Sequence, residues 1–489
     1  MRTAIIGGGI AGLAAAYELE QARSADPTVR YTLFEARERL GGALASEIVQ
    51  GTVLERGPDS FLTEKPAAAG LSRELGLASD LISSNDAERK TWILVGNELV
   101  ALPDGLMFLV PTKLVPTALS PLFSFPTKAR MALELLLPPR RKRGPDESVA
   151  SLVTRHFGAE AVDRLADPLL SGIYGGDASQ LSARTVLPRL VEMENQYGSL
   201  TRGMLAAHRK MRARAAANGN GARPGAPNPE RPIFTTLRGG MQQLVDAIRE
   251  RLDWAAVRLS TPVNALERTT EGWMVHSLGT AELYDSVIVA SPAWAAGVLL
   301  ASVDAVLSEQ LGGIPYSSSI TVNLIYDEDA LGKLPEGFGF LVPASERRSL
   351  LACTFSHRKF LGKTAPGKAV IRAFLGGMRN EALLAENDNA LVAIVRHELI
   401  DILGETVVGI GLDPEYTQVT RWRRAMAQYA VGHQERIERI NERLAALPGL
   451  HLVGNAYDGI GVPDCIRLGR KAASELIQAS RAGRASAAV

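Results

Sequence analysis

Gly7, Gly9 and Gly12 follow directly on the apolar run Thr3-Ala-Ile-Ile6, at the spacing of a backbone cradle for a negatively charged group. Glycine at the first position permits a tight turn and at the second lets the main chain approach a pyrophosphate. At the third it lets a helix pack close to the preceding strand. The segment opening at Ile10 and Ala11, with Leu13, Ala14 and Tyr17 on the same face as Ile10, reads as that helix. Its first amides and its dipole favour an anion. Tyr31-Thr-Leu-Phe reads as the next strand and ends at Glu35, whose carboxylate can accept from ribose hydroxyls and repels a 2′-phosphate. Strand, glycine turn, helix, strand and acid in this order point to a bound dinucleotide contacted by Gly7, Gly9, Ile10, Ala11, Gly12 and Glu35.

The next residues narrow the choice. Glu35-Ala36-Arg-Glu-Arg39-Leu-Gly41-Gly42 places an arginine four residues after the acid and then paired glycines. This stretch resembles the glutathione-reductase and amine-oxidase type of FAD-binding proteins, where it lies along the adenosine and pyrophosphate. The resemblance implies FAD, with Ala36, Gly41 and Gly42 against it and Arg39 balancing diphosphate charge.

Four further segments carry a more specific resemblance: Glu55-Arg-Gly-Pro-Asp-Ser-Phe61, Leu169-Leu-Ser-Gly-Ile-Tyr-Gly-Gly-Asp177, Arg421-Trp-Arg-Arg-Ala-Met-Ala-Gln-Tyr429 with Gly432-His433, and Gly459-Ile-Gly-Val-Pro-Asp-Cys-Ile466. Together they resemble the oxygen-dependent porphyrinogen oxidases of haem biosynthesis, of the bacterial type acting on coproporphyrinogen III or protoporphyrinogen IX. Ala427 departs from the proline usual before Gln-Tyr. The resemblance implies Gly57, Pro58, Asp59 and Ser60 at the flavin's polar edge, Val263 at the adenine and Trp422 at the flavin. It further implies that Ile460, Gly461 and Val462 lead into a helix whose N-terminus faces the ring. Lys65, Ile173 and Tyr174 fall to the substrate, Ile173 on a flat tetrapyrrole face and Tyr174 toward a carboxylate; Arg184 and Arg358 are further cations for propionates. Plainer roles stay open beside these: a rigid turn at Gly57–Ser60, helix caps at Asp177 and Asp464, core packing for Val263 and Trp422, a local hydrogen bond for Tyr174, and a small buried residue at Cys465 rather than a covalent flavin link.

The reaction implied withdraws six electrons from a porphyrinogen in three two-electron steps. A hydride leaves a meso carbon for the flavin, a pyrrole N–H proton is lost, and O₂ is reduced to H₂O₂ as it reoxidises the flavin. No catalytic residue of the protein stands out, because the pyrrole N–H becomes acidic once hydride has gone. Two other readings share the FAD segments or the fold: a flavin amine oxidase, for whose aromatic cage Tyr457 is the one nearby ring, and a non-catalytic escort protein of the GDP-dissociation-inhibitor type.

Several elements must position these groups. At 489 residues the chain exceeds a single core. The fold expected is α/β: a discontinuous Rossmann-like FAD-binding domain of the glutathione-reductase type (1–79, 233–299 and 446–489), with two inserts. One is a mainly helical subdomain (80–232) with a flexible loop at 210–232; the other is a mixed α+β substrate domain (300–445). With 54 Lys+Arg against 53 Asp+Glu, no charge footprint for nucleic acid is present. Cys353 and Cys465 make neither a disulfide framework nor a metal pair, and no metal site is expected. The opening residues read as a nucleotide-binding strand rather than a signal peptide. The apolar stretch Leu106–Phe125 is interrupted by Pro111, Lys113, Pro116 and Pro121, and precedes Arg140-Arg-Lys-Arg143. It reads as a membrane-contacting patch, as the wall of an apolar pocket, or as a helix pair followed by a basic turn; with the two cysteines suiting a reducing setting, the expected location is cytoplasmic, free or peripheral to the inner face of the membrane. A monomer and a homodimer are both compatible.

Overall fold

The computed structural model describes residues 1–103, 106–107, 109–111, 114–138, 145–217, 232–409 and 412–487. Lys113, Arg140–Arg143 and 218–231 of the expected loop lie outside the described residues. The chain divides into two compact units. The first comprises Met1–Ser83, Ile233–Pro315 and Gln434–Val489; the second comprises Ser84–Pro232 and Tyr316–His433.

In the first unit, five strands form a sheet in the order Val257–Arg258, Arg30–Phe34, Arg2–Ile6, Ser286–Val289, Leu450–Leu452, every pair parallel. Ala4, Ile5, Leu33, Val287 and Ile288 are wholly buried, as a parallel sheet covered on both faces requires. The helix Ile10–Ala25 returns from the central strand, and the C-terminal helix Val462–Ala487 packs against it. Ile10 through Tyr17 are all buried rather than burying one stripe, because the sheet, the helix Gln242–Arg249 and the C-terminal helix all pack against this helix. Close approach is obligatory there: a Cβ on Gly469 would stand 2.1 Å from the Ala11 carbonyl oxygen. The antiparallel sheet Val263–Arg268, Trp273–Ser277, Thr280–Tyr284 belongs to the same unit. The Trp273–Ser277 alternation holds, with Trp273, Val275 and Ser277 buried and Met274 and His276 partly exposed.

The second unit is built on a sheet of seven strands among the described residues. Their order is Tyr416–Ala427, Tyr316–Asp327, Lys368–Gly376, Leu350–Phe355, Gly339–Leu341, Thr91–Val95, Glu98–Ala101. Strands from both inserts therefore share one sheet, and the inserts form one unit rather than two. Residues 80–111, expected among helices, contain the strands Leu81–Ser83, Thr91–Val95, Glu98–Ala101, Leu106–Met107 and Val110–Pro111. The hairpin at Gly96-Asn97 turns through two positive φ angles, 57° and 68°, which match the twist of its strands. Residues 210–217, expected in the loop, complete the helix Leu200–Ala217.

The two units meet at 83/84, 232/233, 315/316 and 433/434; the break at 232/233 is the expected one, and the others lie 4 to 16 residues from 79, 299 and 445. The helices Ala293–Leu300, Ala305–Gly312 and His433–Ala445 fall almost wholly in the first unit. Arg443 pairs with Asp304 at 2.6 Å, and Arg436 donates to the Gln310 carbonyl at 3.2 Å. The Leu106–Phe125 stretch forms two short strands and the helix Leu114–Leu119, followed by the helix Phe125–Glu134. Leu119 and Phe125 are 79% and 82% exposed. Among the described residues no helix is long and apolar enough to cross a membrane.

Candidate functional site

The first unit gathers most of the expected contacts. Between the strand Arg2–Ile6 and the helix Ile10–Ala25 the chain turns at Gly7, with φ +109°, where a Cβ would press on the Ala290 backbone at 3.0 Å. Gly12 is fixed more tightly, since its Cβ would stand 1.9 Å from the Gly7 carbonyl oxygen. Gly9 is the contrast: it caps the helix in extended conformation, no side chain closes the first turn, and a Cβ there meets nothing within 4 Å. The amides of Ile10 and Ala11 thus open a helix with space in front of it and no side-chain cap. That is the arrangement an anionic diphosphate fits.

Glu35 ties this turn to the neighbouring strand, accepting the Gly8 N–H at 2.7 Å and the Arg37 N–H at 2.9 Å. Each carboxylate oxygen keeps a second lone pair for a ribose hydroxyl. Ala36 is exposed beside it. Arg39 donates to the carbonyls of Gly42 (2.9 Å) and Leu44 (2.5 Å) and to Gln242 (3.1 Å), and burial followed by the charges of Arg37 and Arg56 pulls its pKa down. Its guanidinium knots the Gly41-Gly42 turn, which in turn bonds the glycine cradle through Gly41 N–H to the Gly8 carbonyl at 2.8 Å. Gly57, Pro58, Asp59 and Ser60 form a half-buried turn in which Ser60 donates to its neighbour Asp59 at 2.6 Å and Thr236 donates to the Asp59 carbonyl at 2.7 Å. Val263 opens its strand, half-buried.

At the C-terminal helix, Ile460 and Gly461 precede the first helical residue, Val462. Asp464, 7% exposed, accepts the Gly461 N–H at 3.2 Å and the Lys65 ammonium at 2.6 Å, both on Oδ2. Asp464 therefore caps this turn and also pairs with Lys65, a partnership between residues 399 positions apart that sequence reading missed. Cys465 is a free, buried thiol whose pKa burial pushes up to about 12.

Ile173, Tyr174 and Trp422 belong to the second unit. Ile173 is 57% exposed at the end of the helix Asp167–Tyr174. The Tyr174 ring lies 6.2 Å from that of Tyr429, which stacks on His433 at 4.2 Å. Trp422 is half-buried in the strand Tyr416–Ala427, opposite Ser319. Asp177 takes a local bond from Ser179 N–H at 2.7 Å but also pairs with Arg379 at 3.0 Å, a second partnership not foreseen. Arg358 donates to the carbonyls of Leu334 (3.3 Å) and Pro335 (2.6 Å), so its guanidinium braces a loop. Ala427, the departure from the family's proline, is a buried strand residue paired with Tyr316, where its N–H is retained. Among the described residues no cluster of three or more His, Cys, Asp or Glu has the makings of a metal site.

The chain resembles known proteins over almost its whole length. Coproporphyrinogen III oxidase of Bacillus subtilis (strain 168) is 35% identical over 476 residues, covering 97% of each chain. A crystal structure of a protein described as a protoporphyrinogen oxidase, from Exiguobacterium sp. 255-15, superposes with a TM-score of 0.83 at 32% identity over 97% of this chain and 98% of the other. Putrescine oxidase superposes with a TM-score of 0.67 at 18% identity over 98% of this chain and 99% of the other, a likeness of fold alone. Residues 10–477 match the family described as flavin containing amine oxidoreductase. The chain belongs to the flavin-containing amine oxidoreductase family.

Proposed function

We propose that this protein is an FAD-dependent oxidase that dehydrogenates a porphyrinogen to a porphyrin in haem biosynthesis, taking coproporphyrinogen III in preference to protoporphyrinogen IX. The end-to-end likeness to a coproporphyrinogen III oxidase at 35% identity carries this reading. An uncapped glycine cradle beside Glu35 supports it. When bound, the flavin supplies two-electron acceptance and reoxidation by O₂.

The residues around it bind, orient and balance charge. The amides at Ile10 and Ala11 take the diphosphate, and Glu35 takes the ribose while holding Gly8. Lys65 balances Asp464, so the first turn of the C-terminal helix keeps its partial positive charge for an electron-rich ring. Ile173 offers an apolar contact to a flat macrocycle, and Tyr174 orients it. The exposed Leu119 and Phe125 support contact with the inner membrane surface for a protein that works from the cytoplasm.

Aerobic turnover of the flavin-loaded protein tests the reading, followed by porphyrin fluorescence and peroxide release. Coproporphyrinogen is expected to be oxidised faster than protoporphyrinogen, with three peroxides per porphyrin. A flavin-loaded protein that oxidises neither would overturn it.

A further inference from the structure

The turn carrying Ile173 and Tyr174 is held by an unusual concentration of charge. It is reached through a π-helical turn, Val162–Ala166, that runs straight into the helix Asp167–Tyr174. A π turn accommodates one residue more than an α turn and occurs frequently at functional sites. The first residue after it is Asp167, only 5% exposed. Arg379 meets its carboxylate with two prongs, Nη1 to Oδ2 at 2.6 Å and Nη2 to Oδ1 at 2.9 Å, and Oδ1 also accepts the Ala178 N–H at 3.1 Å.

The same guanidinium reaches Asp177 at the far end of the turn, with Nε to Oδ2 at 3.2 Å and Nη2 to Oδ2 at 3.0 Å. Between the two carboxylates the chain reverses at Gly175, φ +57°. The carbonyls there are taken as well. That of Tyr174 accepts from Gln428 Nε2 at 2.7 Å and Ser317 Oγ at 3.1 Å, and that of Gly175 accepts the Met378 N–H at 3.0 Å. One cation thus clasps two carboxylates that bracket residues 173–176, and without it two like charges would face each other across the turn. A fork-shaped guanidinium fixes orientation as well as distance, which a lysine in its place would not. Apolar packing would stabilise a purely structural turn as well or better, so the clasp points to a demand for geometry.

We propose that Arg379, through Asp167 and Asp177, is the positioning residue for the substrate-facing turn at 173–176, and that it sets substrate affinity rather than the rate of flavin chemistry. The inference rests on the porphyrinogen-oxidase reading for the identity of the substrate and for the placing of Ile173 and Tyr174 against it.

Arg379→Ala and Arg379→Lys in the flavin-loaded, full-length protein test it. Arg379→Ala is expected to raise KM for the porphyrinogen by about tenfold while kcat changes by less than about threefold. Arg379→Lys is expected to recover little of this, and added guanidinium ion to restore KM in Arg379→Ala. Flavin content and visible spectrum should match the parent. Hydrogen exchange without substrate reads the clasp independently: the Ala178 and Met378 amides should exchange faster in Arg379→Ala. Asp177→Asn, which leaves the Asp167 contact whole, should raise KM by about threefold and serves if Arg379→Ala does not fold. Unchanged KM in the variants, or a KM rise accompanied by lost flavin and no rescue, overturns the proposal. Faster exchange in Arg379→Ala alongside a parent inert to porphyrinogens supports the clasp and overturns the substrate reading instead.

Discussion

Gly9 and Gly12 are three residues apart in one motif and do opposite jobs, which makes them separable by experiment. A Cβ on Gly12 would be driven into the Gly7 carbonyl at 1.9 Å, so Gly12→Ala strains the turn whether or not cofactor is present. Its expected cost is about 1–3 kcal/mol in the flavin-free protein, the range for overpacking a tight site. Gly9 has φ −70° and ψ 175° with open space before it, a conformation alanine adopts freely. Gly9→Ala should therefore leave flavin-free stability within about 0.5 kcal/mol and weaken FAD binding by about tenfold or more, because its methyl enters the space a diphosphate needs. Thermal unfolding of the stripped proteins and flavin titration check both halves. Equal stability losses in the two stripped variants, or an FAD affinity unchanged in Gly9→Ala, would contradict this division of roles.

At the scale of elements, four helices of the second unit meet at one buried histidine. Glu134 ends the helix Phe125–Glu134, His156 lies in Val149–Phe157 and Glu194 in Pro188–Tyr197. The fourth helix, Leu200–Ala217, presents its first N–H to Glu134 at 2.5 Å. His156 is 1% exposed, with Nδ1 2.9 Å from Glu134 and Nε2 3.3 Å from Glu194, and Arg155 also pairs with Glu194 and with Glu147. Only the imidazolium donates to both carboxylates at once. Burial opposes the charge, but the bonds to Glu134 and then Glu194 outweigh it and raise the His156 pKa. Burial likewise opposes charge on Glu194, yet His156 and Arg155 hold it down to about 2.

The two shifts act at opposite ends of the pH range. A raised histidine contributes stability in full below its unfolded value of about 6.5 and loses it as pH climbs through the folded value. A depressed glutamate contributes above about 4.3 and loses it as pH falls toward its folded value. Stability of the helical layer should therefore decline on both sides of a plateau near pH 5–6, read by denaturant unfolding across pH. His156→Gln should flatten the alkaline limb, and Glu134→Ala should cost about 3–5 kcal/mol by breaking a buried pair and removing the acceptor of His156 Nδ1, the Ser199 hydroxyl and the Leu200 N–H. An unchanged alkaline limb in His156→Gln would contradict the assignment.

This network also marks where sequence reading stops. Gly7 to Glu35 was legible because its parts are contiguous, and each residue's role follows from its own backbone. Glu134, His156 and Glu194 come from three helices, and Lys65 meets Asp464 across 399 residues; no spacing announces such pairs. The hairpin around Gly96-Asn97 was legible in its turn residues, but the helical character of the following hundred residues masked it. The shared sheet of the second unit was hidden for another reason: its strands come from inserts separated by residues 233–315.

For the whole molecule, a near-even balance of 54 basic and 53 acidic residues leaves charge to act locally, at Glu35, Asp464 and Lys65 rather than as a global field. Binding of FAD to the native state alone should then raise stability by mass action. At free flavin one hundred times its dissociation constant the gain is about 2.7 kcal/mol. Stripping the flavin should lower Tm accordingly, with hydrogen exchange quickening at the amides of residues 10–12 and 460–462. A Tm indifferent to flavin would argue that the cradle does not hold it.

Anaerobic mixing asks directly whether bound flavin takes electrons from a porphyrinogen. On mixing with coproporphyrinogen III, the flavin's visible absorption band should bleach, with porphyrin fluorescence rising only once O₂ is admitted to reoxidise the flavin for the remaining two steps, and mixing with putrescine should leave the band intact. Bleaching by the amine and not by the porphyrinogen would contradict the account.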